Sequence, residues 1–275
     1  MRARPSFILA AFAIGLAAMP VAAEEAAPMQ PSESWDSIRY DVVGDRELKD
    51  GDALYTIEVP FRAFDAAAVP VRVIQEKGAP DVARMTLVID ENPSPVAADF
   101  TFGPTMRPLD LETRVRVDAY SNVRAIVETV DGDTYMTGRF VRASGGCSAP
   151  AAKDAEAALA NLGQMKMRWF DPANATEVLP QSRAQRTAQI MLRHPNYSGL
   201  QRDQVTHLFV PAHFVDRVEI RQGDEMLFTM EGGISISEDP AFRFTFVDTG
   251  DGPLSVVAHD TEGETFEGSF SVATM

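Results

Sequence analysis

From Ala53 to Val141 apolar and polar residues alternate in short runs, and this period of two predicts strands rather than helices. Ala53–Val59, Val69–Ile74 and Thr113–Val117 carry the alternation, while Met85–Ile89 is a more continuous apolar run, the pattern of a strand covered on both faces. Pro93 and Pro95 interrupt the middle of this region and predict a turn. Asp131-Gly132 tolerates positive φ and joins Val123–Val130 to Thr134–Val141 as a hairpin. Ahead of these strands, Trp35–Gly44 reads as a short helix or an irregular cap.

The pattern changes at Ala143-Ser144-Gly145-Gly146-Cys147-Ser148-Ala149-Pro150, which is small and has no large apolar anchor. Pro150 suits the first turn of a helix, and Ala151–Met165 has high helix propensity. Strand patterns return with Thr187–Arg193, which stops at His194-Pro195. Phe214–Ile220 and Glu225–Met230 flank a turn at Gln222-Gly223-Asp224, and Phe242, Phe244 and Phe246 share one face of a strand. Ser255–His259 and Thr265–Val272 form a final pair across Glu262-Gly263. The expected fold class is all-β: two immunoglobulin-like β-sandwich domains joined by a cysteine-bearing linker and a helical segment. The boundaries fall at residues 24–142 for the first sandwich, 143–185 for the arm and helical linker, and 186–275 for the second sandwich. Whether the two halves pack in cis or across a dimer is left open by the pattern.

Residues 1–23 read as a cleaved signal peptide: Arg2 and Arg4, an apolar run from Phe7 to Ala18, then Val21-Ala22-Ala23 before Glu24. The run is shorter than the ~20 residues a bilayer span needs, so export to the periplasm is the expectation. With 40 acidic against 25 basic residues, the chain is disfavoured for nucleic acid and anionic membranes and is compatible with a basic surface on a partner. One cysteine allows no internal disulfide. In an oxidising compartment an odd thiol is buried and inert, paired with another molecule, or used chemically.

Cys147 is therefore the leading candidate site. Gly145 and Gly146 remove Cβ atoms and permit an extended, mobile backbone, and a helix just after the cysteine would lower its pKa through the macrodipole. The plainer reading is a buried structural cysteine. His194, His207, His213 and His259 match no zinc-ligand spacing, so no metal is expected there. Met165 and Met167 with Cys147 raise copper(I), but twelve methionines are spread through the chain and read as core filler. Asp248-Thr249-Gly250-Asp251-Gly252 lacks the later glutamate of a calcium loop and reads as a turn. No phosphate loop, nucleophile elbow or triad appears, so neither a cofactor nor the active site of a self-sufficient enzyme is expected.

Val141-Arg142-Ala143-Ser144-Gly145-Gly146-Cys147 resembles the carrier arm of SoxY, the sulfur-carrier subunit of thiosulfate-oxidising systems. Glu91-Asn92-Pro93-Ser94-Pro95-Val96, Phe100, Phe102 and Thr113-Arg114-Val115-Arg116 are similar to the SoxY body. His194-Pro195, Gly199, Arg202-Asp203 and Val210-Pro211-Ala212-His213-Phe214 look like SoxZ, its partner. The whole resembles the fused SoxYZ-like carriers that accompany quinoprotein (PQQ) dehydrogenases. This resemblance implies a non-enzymatic carrier that holds a sulfur-containing intermediate as a covalent adduct on Cys147, with Gly145 and Gly146 as the flexible arm. Its implied partners are periplasmic redox enzymes of the Sox type or a quinoprotein dehydrogenase and its cytochrome. In SoxY the cysteine lies in a free C-terminal Gly-Gly-Cys-Gly-Gly; here Ser148-Ala149-Pro150 follows, and an arm held at both ends swings less far. Two rival readings are a scaffold for a periplasmic quinoprotein dehydrogenase and a thiol-dependent sulfur transferase with His207 or His213 as base.

Overall fold

The computed structural model describes residues 27–150, 160–170, 185–203 and 206–272. Helix α1 (Glu33–Val43) begins where Ser32 Oγ accepts the Trp35 N–H at 3.1 Å and ends at Gly44, whose φ of 65° suits glycine. A helix, not an irregular cap, therefore precedes the first sandwich. The strands of the first half are β1 (Leu48–Asp50), β2 (Tyr55–Glu58), β3 (Val69–Gln75), β4 (Val82–Ile89), β5 (Val96–Phe102), β6 (Asp110–Val115), β7 (Ser121–Thr129) and β8 (Thr134–Val141). The second half contributes β9 (Met165–Phe170), β10 (Gln185–Leu192), β11 (Val215–Gln222), β12 (Glu225–Gly232), β13 (Ala241–Val247), β14 (Leu254–Asp260) and β15 (Thr265–Phe270).

Among the described residues these strands form two sheets. One has the order β1-β8-β7-β4-β5-β12-β11-β14-β15, the other β2-β3-β6-β13-β10-β9. Both sheets run through from the first half into the second. β5 pairs antiparallel with β12, Phe102 opposite Phe228 and Phe100 opposite Met230, and β6 pairs with β13, Leu111 opposite Phe244. The two sandwiches are thus joined edge to edge, which satisfies strand edges that would otherwise be open to aggregation. A single hydrophobic core crosses the join. At its centre the Phe228 ring lies 5.3 Å from Phe244, 6.1 Å from Phe242 and 6.2 Å from Phe100.

The alternation in β3, buried at Val69, Val71 and Val73, follows the expected period. Leu87, Val88 and Ile89 of β4 are all buried because α1 covers the outer face: Trp35 and Val43 pack with Val88 and Ile126. Beneath Trp35, the Arg124 guanidinium lies 4.6 Å from the indole and forms a buried two-point pair with Asp90 at 2.7 and 2.8 Å. The expected helix ending at Met165 is corrected at that end: Met165 opens β9, which pairs antiparallel with β10. Helix propensity is a weak preference, and the alternation Met165-Lys166-Met167-Arg168-Trp169-Phe170 with Trp169 against Phe246 outweighs it. The expectation for 151–159 lies outside the described residues, as does that for the signal peptide. Asp248–Gly252 lies in the connection between β13 and β14, with Asp248 accepting from Gln222 Nε2 and the Gly250 N–H.

Candidate functional site: a thiol stowed at the seam

The segment after β8 does not extend into solvent. Arg142 is still held by the strand-like pairing of its N–H and C=O with Phe61 and Ala63, and Ala143 is buried. The chain then turns along the loop that follows β6. The Gly145 N–H donates to the Asp118 carbonyl at 2.7 Å, the Gly146 N–H to the Val117 carbonyl at 3.1 Å, and the Cys147 N–H to Asp118 Oδ1 at 3.1 Å. Gly145 has a φ of 76°, a region side chains rarely adopt. At Gly146 a Cβ would stand 2.1 Å from the Ala66 carbonyl oxygen and 2.6 Å from that of Val117. Gly145 is thus favoured by its backbone conformation and Gly146 is required by a close seat, in addition to any mobility they confer.

Two side chains complete the seat. Arg116, fully buried, donates from Nη1 to the Gly146 carbonyl and from Nη2 to the Asn196 carbonyl, both at 3.1 Å, while its Nε has no hydrogen-bond partner. Ser198 Oγ donates to the Cys147 carbonyl at 2.5 Å. Asn196 and Ser198 belong to the second half, so both halves grip the arm. Asn92 fixes the loop beneath: its Nδ2 donates to the Arg116 carbonyl and to Ser235 Oγ, and its Oδ1 accepts the Asp118 N–H.

The Cys147 side chain is fully buried, and burial pushes its thiol up to about 12; the Asp118 carboxylate adds to the rise and Arg116 opposes it. The exposed thiol of lowered pKa that the sequence suggested is not what this arrangement presents. Desolvation disfavours the thiolate more than a neighbouring guanidinium stabilises it. Burial likewise lowers the pKa of Arg116, against the opposing fields of Glu238, Cys147 and Asp65.

The histidines are distributed differently. His194 and His213 both direct Nε2 at Asp260 Oδ2, at 3.4 and 2.7 Å, and their rings meet edge-on at 4.6 Å. These three groups are close enough to suggest a metal site. Hydrogen bonding argues otherwise: the Asn196 N–H donates to His194 Nδ1, so the neutral ring carries its proton on Nε2 and has no lone pair there for a metal. Asp260 also accepts the Glu262 and Glu264 N–H groups, so the cluster pins the β14–β15 turn to the segment 194–213. His207 sits in an exposed loop with a φ of 58°, and His259 bonds Thr265 on the surface. The charged side chains acting on Cys147 are Asp118 and Arg116, with no imidazole among them. Met165 and Met167 pack against the core from β9. Arg116 and Asn92 appear in the motifs quoted from sequence. Asp118, Asn196, Ser198 and Ser235 were missed, because they come from separate loops and no spacing rule links them.

The class that the fold and site define is structural: an all-β protein of two sheets that run through both halves, with a thiol preceded by two glycines seated where the halves meet. The comparisons with known proteins give the particular family. Residues 39–147 match the model for sulfur oxidation protein SoxY, and residues 179–271 match that for sulphur oxidation protein SoxZ. The chain belongs to these families: it is a SoxYZ-like protein with a SoxY domain and a SoxZ domain in one polypeptide, and its general role is that of a sulfur-oxidation carrier. Among solved structures it is similar to the sulfur carrier protein SoxY from Chlorobium limicola f thiosulfatophilum, at 25% identity, over 40% of this chain and 94% of that one, with a TM-score of 0.34. A glycosyl hydrolase family 2 member from Bacteroides cellulosilyticus DSM 14838 shares 10% identity over 78% of this chain and 28% of its own, with a TM-score of 0.23. A β-glycosidase from Bacteroides vulgatus shares 9% over 79% and 24%, with a TM-score of 0.24. Overlaps this slight carry no functional weight. No curated protein matches. Among the described residues no helix is long and apolar enough to cross a membrane.

Proposed function

We propose that the protein is a periplasmic carrier that holds a sulfur-containing intermediate covalently on Cys147 for partner redox enzymes of sulfur oxidation. The observation that supports this reading is the placement of the chain's single cysteine, at the end of the SoxY domain on a Gly145-Gly146 arm, where the SoxZ domain touches it. Loading with thiosulfate joins the Cys147 sulfur to the outer sulfur of the anion. It releases the thiol proton and passes two electrons to the partner enzyme's acceptor. The product is a thiosulfonate; water then takes its sulfonate group, which leaves as sulfate with a proton, and a persulfide remains on Cys147. None of these steps needs a catalytic group of the carrier itself. Residues 1–23 act as the signal peptide. Replacing Cys147 with Ser is expected to abolish thiosulfate-dependent electron transfer to the partner enzymes while leaving the melting temperature within a few degrees of the parent. Electron transfer that persists in that variant would overturn the reading.

A second reading has a specific observation in its favour, the fully buried thiol. In it the fused domains serve as a non-catalytic scaffold for a periplasmic quinoprotein dehydrogenase, and Cys147 is structural. Partner capture that survives Cys147→Ser, together with no adduct on the parent protein, is its signature.

A further inference from the structure

We propose that Arg116 and Ser198 are positioning residues that latch the arm into the seam, so that access to the Cys147 thiol is set by the SoxZ domain. The inference rests on the carrier reading for its purpose, but its geometry is independent of any cargo. Contacts along the arm are made to its backbone: three consecutive N–H groups go to the Val117–Asp118 loop, and the carbonyls of Gly146 and Cys147 accept from Arg116 and Ser198. A seat that grips the main chain holds the arm without engaging the reactive atom.

Gly146 separates this arrangement from a merely flexible arm. A free arm tolerates alanine there, whereas the seat would place the added Cβ against two carbonyl oxygens, at 2.1 and 2.6 Å. The latch on the other side is built as well. Ser198 has its N–H on Gln201 Oε1 and its Oγ accepting the Leu200 N–H, so the hydroxyl proton is directed at Cys147. One Arg116 guanidinium spans the arm and the SoxZ segment, bonding the Gly146 and Asn196 carbonyls together. Movement of the Asn196–Ser198 segment therefore removes the Ser198 bond and loosens the Arg116 bridge at once. The segment is held through its backbone by the Asn196 N–H on His194 Nδ1, and through the Asn196 side chain, whose Oδ1 accepts the Val215 N–H.

The test is the rate at which iodoacetamide alkylates the reduced, full-length protein at neutral pH, with rates followed through low urea. The parent is expected to react far more slowly than its unfolded chain. Ser198→Ala should react about tenfold faster, the exchange expected for loss of one buried hydrogen bond. Gly146→Ala should react at least as fast as Ser198→Ala. In both variants the rate should stay flat in urea below the unfolding transition, because arm release exposes little surface, whereas global unfolding rises steeply with urea. If Gly146→Ala does not fold, Ser198→Ala carries the test alone. A parent rate equal to the unfolded chain's overturns the stowed state. Folded variants that react at the parent rate, or rates that climb with urea in step with global unfolding, overturn the latch. No cargo is present in this experiment, so its failure is distinct from failure of the carrier reading, which adduct mass decides.

Discussion

The proposed carrier role asks the thiol for both burial and access, and at Cys147 burial dominates. With its pKa raised from 9.0 to about 12, the stowed thiol holds its proton at neutral pH, and attack on it requires release of the arm. The folded value lies above the unfolded one, so this group's contribution to stability is complete below pH 9 and is lost as pH rises from about 9 to about 12. Urea midpoints measured through that range should fall more steeply for the parent than for Cys147→Ser; parallel curves would contradict the burial. The cysteine and its glycines were legible in the sequence because residue type and adjacency announce them. Their confinement was not, since it depends on Ala66, Val117, Asp118 and Ser198, which reach the arm through the fold.

Strands were legible where alternation was clean, as in β3 and β13, and ambiguous where propensity and pairing disagreed, as at Met165. What alternation does not reveal is which strand edges meet, and here β5–β12 and β6–β13 carry the join. Phe228 sits on that join against Phe100, Phe102, Phe242 and Phe244. Phe228→Ala is expected to cost about 3–5 kcal/mol by chemical denaturation, the range for deleting a buried aromatic ring. The β14–β15 turn makes a separate prediction. Burial lowers the pKa of His194 from 6.5. At Asp260 burial acts to raise the pKa, but hydrogen bonds from His213, the Glu264 N–H and His194 outweigh it and the pKa falls below 3.8. Both folded values lie below the unfolded ones, so their contribution is present above pH 6.5 and is lost as pH falls through the acid range. Melting temperature should drop from pH 6.5 downward, and Asp260→Ala should lower it at neutral pH by the equivalent of about 1–3 kcal/mol.

One core across two sandwiches makes the whole molecule a single cooperative unit, and calorimetry should show one unfolding transition for both domains, with calorimetric and van't Hoff enthalpies equal. Fusion of the domains into one chain fixes their proportion, and the continuous sheets fix their register, so the Asn196–Ser198 segment that seats the arm comes from the same chain. The acidic balance, 40 carboxylates against 25 basic side chains, leaves the surface suited to partners that present positive charge around their own sites. The most direct test of the central claim is intact-mass spectrometry of the protein taken from its own cells during thiosulfate oxidation, before and after reduction. A carrier shows added mass of one or more sulfur atoms, or of a thiosulfonate, that localises to Cys147 and disappears on reduction. A bare Cys147 in every preparation would contradict the carrier role.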